Sequence, residues 1–268
     1  KETQPQSPPA PPASKPEMPA EPAEQPQAPA APPDAENPNP PDKSQPAVEK
    51  PEKIAYLTFD DGPSPITVQI LDTLKAHDVK ATFFVIGRNV PGNEKILQRM
   101  IAEGHTLGGH SYSHDYQLLY RDPVSFFADL EKGSDLIEQA TGIRPKVFRY
   151  PGGSSNTISL RFQDPAHYDR KHSVMNAIRK ESLQKGYVFI DWNVTNGDGR
   201  TNQYTAAEAL SQIRQQVKEQ QEIIVLMHDS APKKPTAESL AAVISFLREK
   251  GYRFEAIQPD IATVSTVK

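Results

Sequence analysis

The chain contains no cysteine, so neither a disulfide nor a thiolate metal site contributes to its architecture or chemistry. It has no run of about 18 or more apolar residues, the length a helix needs to cross a bilayer. No Gly-rich phosphate loop occurs, which argues against nucleotide or phosphoryl chemistry. An excess of one charge is missing from most of the sequence. Residues 53–268 carry 26 basic and 25 acidic side chains with no basic stripe, which argues against nucleic acid as a partner.

Aliphatic and aromatic residues are almost absent from residues 1–52, which instead hold 17 of the 27 prolines, four lysines and nine acids. Such a stretch buries too little apolar surface to offset the entropy of ordering, so a disordered, partly polyproline-like tether is expected there. Residues 53–268 are then expected to form one domain with a sizeable core. The sequence starts at Lys1 without Met, which suggests an upstream signal or anchor. A Pro-rich tether suits a spacer through a cell wall, although a spacer between two domains has the same composition. The expectation is a monomer outside the cell or on its surface, meeting the membrane only through an N-terminal anchor absent from this chain.

From residue 54 onward, short apolar runs alternate with stretches of helical periodicity. The strand-like runs are residues 54–59, 81–86, 105–109, 146–148, 187–190, 222–227 and 252–257; helical patterns cover 66–77, 93–103, 123–140, 172–185, 205–219 and 236–250. Asp122 followed by Pro123 reads as an N-cap with proline at the first helical position, and Gly142 as the stop. Strict alternation implies parallel strands covered by helices, either an α/β barrel or a doubly wound sheet. The number of units favours the barrel. Polar residues stand at the C-terminal ends of five of these runs: Asp60 and Asp61, His110, Arg149, Asp191 and His228. In a parallel barrel those ends share one face, where active sites are built.

The doublet Asp60-Asp61 stands where the first strand meets a Gly62-Pro63 turn. Adjacent side chains on an extended chain diverge, so one carboxylate can bind a metal while the other moves a proton; a solvated turn is the plainer reading. His110 and His114 lie four apart, a spacing that one helical turn brings to the same side. Two imidazoles and a carboxylate make a facial set for a divalent ion. His77, His105, His167 and His172 have no such context and are expected to be structural.

Together, Thr58-Phe59-Asp60-Asp61-Gly62-Pro63, the His110/His114 pair, Phe148-Arg149-Tyr150-Pro151-Gly152-Gly153, Asp191-Trp192 and Leu226-Met227-His228 resemble the NodB-homology polysaccharide deacetylases of carbohydrate esterase family four. The resemblance spans about residues 53–258 and keeps the motif order. It implies a distorted (β/α) barrel of about seven to eight parallel strands. It also implies metal-dependent hydrolysis of acetyl groups on a polysaccharide. By position, it makes Asp61, His110 and His114 the metal ligands, with Zn2+ expected and Co2+, Ni2+ or Mn2+ able to substitute. Asp60 becomes the general base and His228 the general acid. Asp191 would hold the His228 imidazole and raise its pKa, while Arg149 would lower the pKa of Asp60. Gly152 would offer a backbone N–H to the oxyanion, and Trp192 and Leu226 would enclose the acetyl methyl. Tyr112, between the two histidines, is a candidate for the sugar groove.

One departure concerns Arg149-Tyr150-Pro151-Gly152, where many members have Arg-Pro-Pro-Tyr and so an aromatic wall. The expected substrate is N-acetylglucosamine in peptidoglycan, with chitin, chito-oligosaccharides or acetylated xylan as alternatives. An inert sugar-binding module is the reading from another class.

Overall fold

The computed structural model describes residues 52–258 and residue 260; the expected tether therefore lies outside the described residues apart from Glu52, as does the C-terminal end. In chain order the elements are β1 (Lys53–Asp60), α1 (Pro65–Ala76), β2 (Thr82–Val85), α2 (Glu94–Ala102), β3 (Thr106–Gly109), α3 (Tyr116–Leu119) and α4 (Pro123–Thr141). They continue with β4 (Val147–Phe148), α5 (Val174–Gln184), β5 (Val188–Phe189), β6 (Val194–Thr195), α6 (Ala206–Gln216), β7 (Glu222–His228), α7 (Lys234–Glu249) and β8 (Tyr252–Phe254). The helix starts follow the sequence closely. Asp122 accepts the Ser125 N–H at the start of α4, and Gly142 closes that helix in the left-handed conformation.

Every ladder is parallel, as helical crossovers require. The sheet runs β5-β4-β3-β2-β1-β7-β6, and β8 pairs with the N-terminal residues of β1. Among the described residues no ladder joins β5 to β6, so the sheet curls into a barrel that is distorted at that seam. The fold is the expected one. Strand β6 and helix α3 were absent from the sequence reading, since two and four residues are too short to show a period.

Alternation along the strands sorts the chemistry. In β1, Ala55, Leu57 and Phe59 point to the helix layer, where they pack with Ile70, Leu74, Val243 and Leu247. Tyr56 points the other way, into the barrel, with Phe84, Ile190 and Ile224. The same parity sends Thr58 and Asp60 inward. In β7 it sends Ile224, Leu226 and His228 inward, leaving Ile223, Val225 and Met227 for the helices. The barrel is thus apolar at its base and becomes polar toward the C-terminal rim.

The loop after β3 leans on α4 through a glycine contact. A Cβ on Gly133 would come within 2.8 Å of the Ser111 carbonyl oxygen, and a Cβ on the neighbouring Gly87 would lie 2.5 Å from the Gly133 Cα. Gly133 therefore gives up helix propensity to let the histidine loop approach. Alanine would ordinarily gain about 1 kcal/mol at a helix interior. Here Gly133→Ala is expected to destabilise the fold by about 1–3 kcal/mol, through overpacking against backbone. Urea denaturation checks this; a variant as stable as the parent would show that the contact gives way freely.

Candidate active site

At the rim Asp60 is 3 % exposed and its Oδ1 accepts a 2.8 Å hydrogen bond from Nη1 of Arg149, itself fully buried. The same guanidinium donates to Thr58 Oγ1 (2.8 Å), to the Ile190 carbonyl (2.8 Å) and to the Asp191 carbonyl (3.2 Å). It lies over the Phe84 ring, 4.2 Å from the centroid. Arg149 does pull the Asp60 carboxyl downward, yet burial outweighs it and the net shift is upward. The sequence expectation of a lowered pKa is corrected: a guanidinium offsets only part of the cost of removing a carboxylate from water.

The next residue turns away because its backbone does. Asp61 has φ 78°, a left-handed conformation held by its N–H on the Phe84 carbonyl and by Asn89 Nδ2 on its own carbonyl. This reversal aims its carboxylate at the histidines, with Oδ1 3.6 Å from His110 Nε2 and 3.4 Å from His114 Nε2. The two imidazoles meet without the expected helical turn. Residues 110–114 form a loop with Ser111 at φ 68° and His114 at φ 51°, and the Asp129 carboxylate accepts the N–H groups of Tyr112 and Ser113. A buried carboxylate gathering two adjacent N–H groups favours the tight loop over a helix start.

The three side chains suit a cation. Their ligand atoms all lie within 4.8 Å of one another. His110 Nδ1 is 2.8 Å from the Arg149 carbonyl, which can only accept, so Nδ1 carries the proton and the Nε2 lone pair faces Asp61. Burial, and then His114, push the His110 pKa down to about 3, keeping it neutral. Asp61 Oδ1 is buried without a hydrogen-bond partner. A carboxylate oxygen and a lone pair directed at each other repel, and a divalent ion between them relieves that repulsion.

Across the cavity, His228 and Asp60 are Cα partners on β7 and β1. His228 was expected to be held by Asp191, and the structure corrects this. Its Nδ1 lies 2.6 Å from Oδ1 of Asp198, on the turn after β6, while Asp198 Oδ2 accepts from the His228 N–H, Asn196 and Thr236. Asp191 directs its carboxylate to Ser154, accepting from its N–H (2.9 Å) and Oγ (2.5 Å), and so braces the loop after β4. Parallel ladders explain the exchange: β6 pairs with β7, which brings its following turn beside His228, whereas β5 is at the opposite end of the sheet path. Burial alone would lower the imidazole, but Asp198, with Asp60 and Asp61 behind it, carries its pKa up to about 9. Two groups of opposite duty therefore face each other: a carboxylate able to take a proton and an imidazolium able to give one.

These groups open into a cavity of about 370 Å³ that Gly152, Trp192 and Leu226 also line. Tyr112 does not line it; its ring lies beneath the Lys132 ammonium at 3.6 Å, drawn there by the turn over Asp129. Tyr116 lines the cavity instead, edge-on to His114, and restores an aromatic face beside Gly152. Tyr150 is buried with its hydroxyl on Ser182 and faces the core. Sequence reasoning missed Asp198 and Tyr116. For Asp198 the available signal was a carboxylate just past the short Val194-Thr195 run; Tyr116 lay two residues beyond the second histidine.

The family pattern described as "Polysaccharide deacetylase" matches residues 47–169. A peptidoglycan-N-acetylglucosamine deacetylase of Bacillus cereus is 36% identical over 211 residues, covering 77% of this chain and 70% of that protein. Among solved structures, the catalytic domain of peptidoglycan N-acetylglucosamine deacetylase from Eubacterium rectale superimposes with a TM-score of 0.72 at 31% identity, over 81% of this chain and 94% of that one. A polysaccharide deacetylase from Bacillus cereus gives 0.66 at 34% identity, over 80% and 97%.

The raised imidazole gives a direct check. The charged His228–Asp198 pair stabilises the fold fully below the ordinary value of 6.5, and that stability is lost as pH rises through about 9. Asp198→Asn is expected to bring the His228 titration down by more than about one unit, since the hydrogen bond and charge that raise it are removed. NMR titration of 13C-labelled histidine in the metal-free protein measures the shift; an unmoved His228 signal would contradict the assignment of Asp198 as its partner.

Proposed function

Because the chain belongs to the polysaccharide deacetylase family, we propose that it removes N-acetyl groups hydrolytically from N-acetylglucosamine residues of peptidoglycan, outside the cell or at its surface. The observation that carries this reading is one cavity holding a metal-fitting triad, a buried carboxylate and an Asp-held imidazole. A complete set of this kind favours turnover over inert sugar binding. The protein acts as a monomeric catalytic domain, with residues 1–52 serving as a spacer.

Asp61, His110 and His114 would hold a divalent ion, Zn2+ being favoured by two imidazoles and one carboxylate. When bound, that ion supplies positive charge that acidifies water and offsets negative charge developing on the acetyl oxygen. The protein's own groups do the rest. Asp60, fixed by Arg149, accepts the proton of the water that attacks the acetyl carbonyl carbon; its upward-shifted pKa makes it a stronger base than a surface carboxylate. The Gly152 N–H, on the cavity lining, would meet the oxyanion. Trp192 and Leu226 exclude water around the acetyl methyl. His228 then protonates the departing amine nitrogen, since an amine anion is too basic to leave, and Asp198 keeps its imidazole charged and oriented until that step.

The two aspartates should separate experimentally. Asp60→Asn is expected to retain the metal, assayed by equilibrium dialysis, while acetate release from purified peptidoglycan falls by about 100-fold or more, the usual worth of a positioned base. Asp61→Asn is expected to lose metal affinity first, and activity with it. Equal metal loss in both variants would mean that the pair is divided wrongly, and full activity of Asp60→Asn would sink the mechanism.

A further inference from the structure

The charged side chains lining the cavity are nearly all engaged: Asp60 with Arg149, Asp61 with the two histidines, and His228 with Asp198. Lys233, only 7 % exposed, donates to the carbonyls of Asp198 and Thr201 and to Asn202 Oδ1. Arg200 is the exception. It lines the same cavity and is exposed, and among the described residues its guanidinium has no acid or hydrogen-bond partner. The turn carrying it is nevertheless tightly held. Asp198 is pinned by donors from His228, Asn196 and Thr236, and the three oxygens that Lys233 gathers lie on both sides of Arg200. A cation unpaired among the described residues, carried on a held turn, is available to an external anion.

Its place in the cavity says which part of a substrate it meets. A Cβ on the adjacent Gly199 would lie 3.0 Å from His228 Cε1. The proposed acid faces the amine nitrogen, which stays on the sugar, so a residue one Cα step beyond Gly199, about 3.8 Å along the chain, flanks the polymer and not the acetyl group. A neutral glycan offers a guanidinium no matching charge. A carboxylate does, in the planar two-bond geometry that arginine forms with it.

Resting on the peptidoglycan reading above, we propose that Arg200 is a specificity residue that recognises a carboxylate borne by the sugar next to the one being deacetylated. Peptidoglycan supplies such carboxylates from two sources, the lactyl group of the alternate sugar where the stem peptide has been removed and the acids of that peptide where it is present; chito-oligosaccharides supply none.

The test compares kcat/KM for acetate release by the metal-loaded protein on peptide-bearing glycan, on peptide-stripped glycan with free lactyl carboxylates, and on each after carboxyl amidation. The wild type is expected to prefer at least one acidic form over its amidated counterpart by about tenfold, mostly through KM. In Arg200→Gln that ratio should fall to about one, with Arg200→Lys in between. The form that shows the preference identifies the carboxylate. A wild type indifferent to amidation, a ratio unchanged in Arg200→Gln, or an equal loss on acidic and amidated forms would each overturn the proposal. If the wild type releases acetate only from chito-oligosaccharides, the peptidoglycan reading fails separately. Carboxymethylated against plain chito-oligosaccharides then reads the Arg200 ratio by the same criteria.

Discussion

The Arg149–Asp60 pair is the constraint around which the rim is built. Both groups are almost wholly removed from water, a transfer that costs several kcal/mol per ion and is repaid only when the remaining hydrogen-bonding capacity is used. Arg149 uses it on every side. Its donors reach Asp60 and Thr58 on β1 and the carbonyls of Ile190 and Asp191 beyond β5, while its own carbonyl accepts from His110 beyond β3. Thr58 passes the link on by donating to the Val225 carbonyl of β7. One residue therefore ties its own strand end to those of β1, β3 and β5, fixes the His110 tautomer through its carbonyl and orients a carboxylate through its guanidinium. A lysine could keep the charge but not these several directed bonds.

Around that pair, unfavourable backbone conformations are held by packing and hydrogen bonds. Asp61, Ser111 and His114 all have positive φ, and each belongs to the metal-fitting triad or to the loop that presents it. Strain of this kind persists where surroundings over-determine it. The Asp61 turn is confined from the far side by Asp229, whose N–H donates to the Asp60 carbonyl and whose Oδ2 accepts from Thr67 on α1. A Cβ on Gly62 would lie 2.1 Å from that Oδ2, so glycine is required for the turn to close over it. Burial pushes the Asp229 carboxyl up to about 7, so a neutral form can occupy a position where a further negative charge would oppose Asp60 and Asp61.

What the sequence disclosed and what it withheld divide along a physical line. Groups that act from the end of a long or well-bounded run were legible: Asp60 and Asp61 after β1, Arg149 after β4, His228 after β7. Parity within a strand and the parallel arrangement of strands suffice to bring them to one rim. The partnership of His228 was not legible, because it depends on which strand lies beside β7. Asp191 ends a recognisable apolar run and stands before the sole tryptophan, whereas Asp198 follows a strand of two residues. Tyr112 and Tyr116 were likewise indistinguishable until the Asp129 carboxylate bent the loop and sent one ring toward Lys132 and the other into the cavity. The upward shift of Asp60 was hidden for a related reason. A neighbouring arginine can be read from a motif, but the depth of burial that opposes it cannot.

Asp60 and His228 face each other and act on each other's charge. Direct ladder partners on adjacent strands lie about 4.8 Å apart, close enough for each charge to act on the other. Burial raises the carboxyl, while Asp198 carries the imidazole up to about 9 against its own burial. At neutral pH His228 therefore holds its proton, as the acid of the proposed hydrolysis must at its start. Had Asp191 stood where Asp198 does, it would no longer brace Ser154 and the Gly152–Gly153 segment. Two carboxylates do two separate jobs: Asp198 tunes the imidazole, and Asp191 shapes the loop that closes the other side of the cavity.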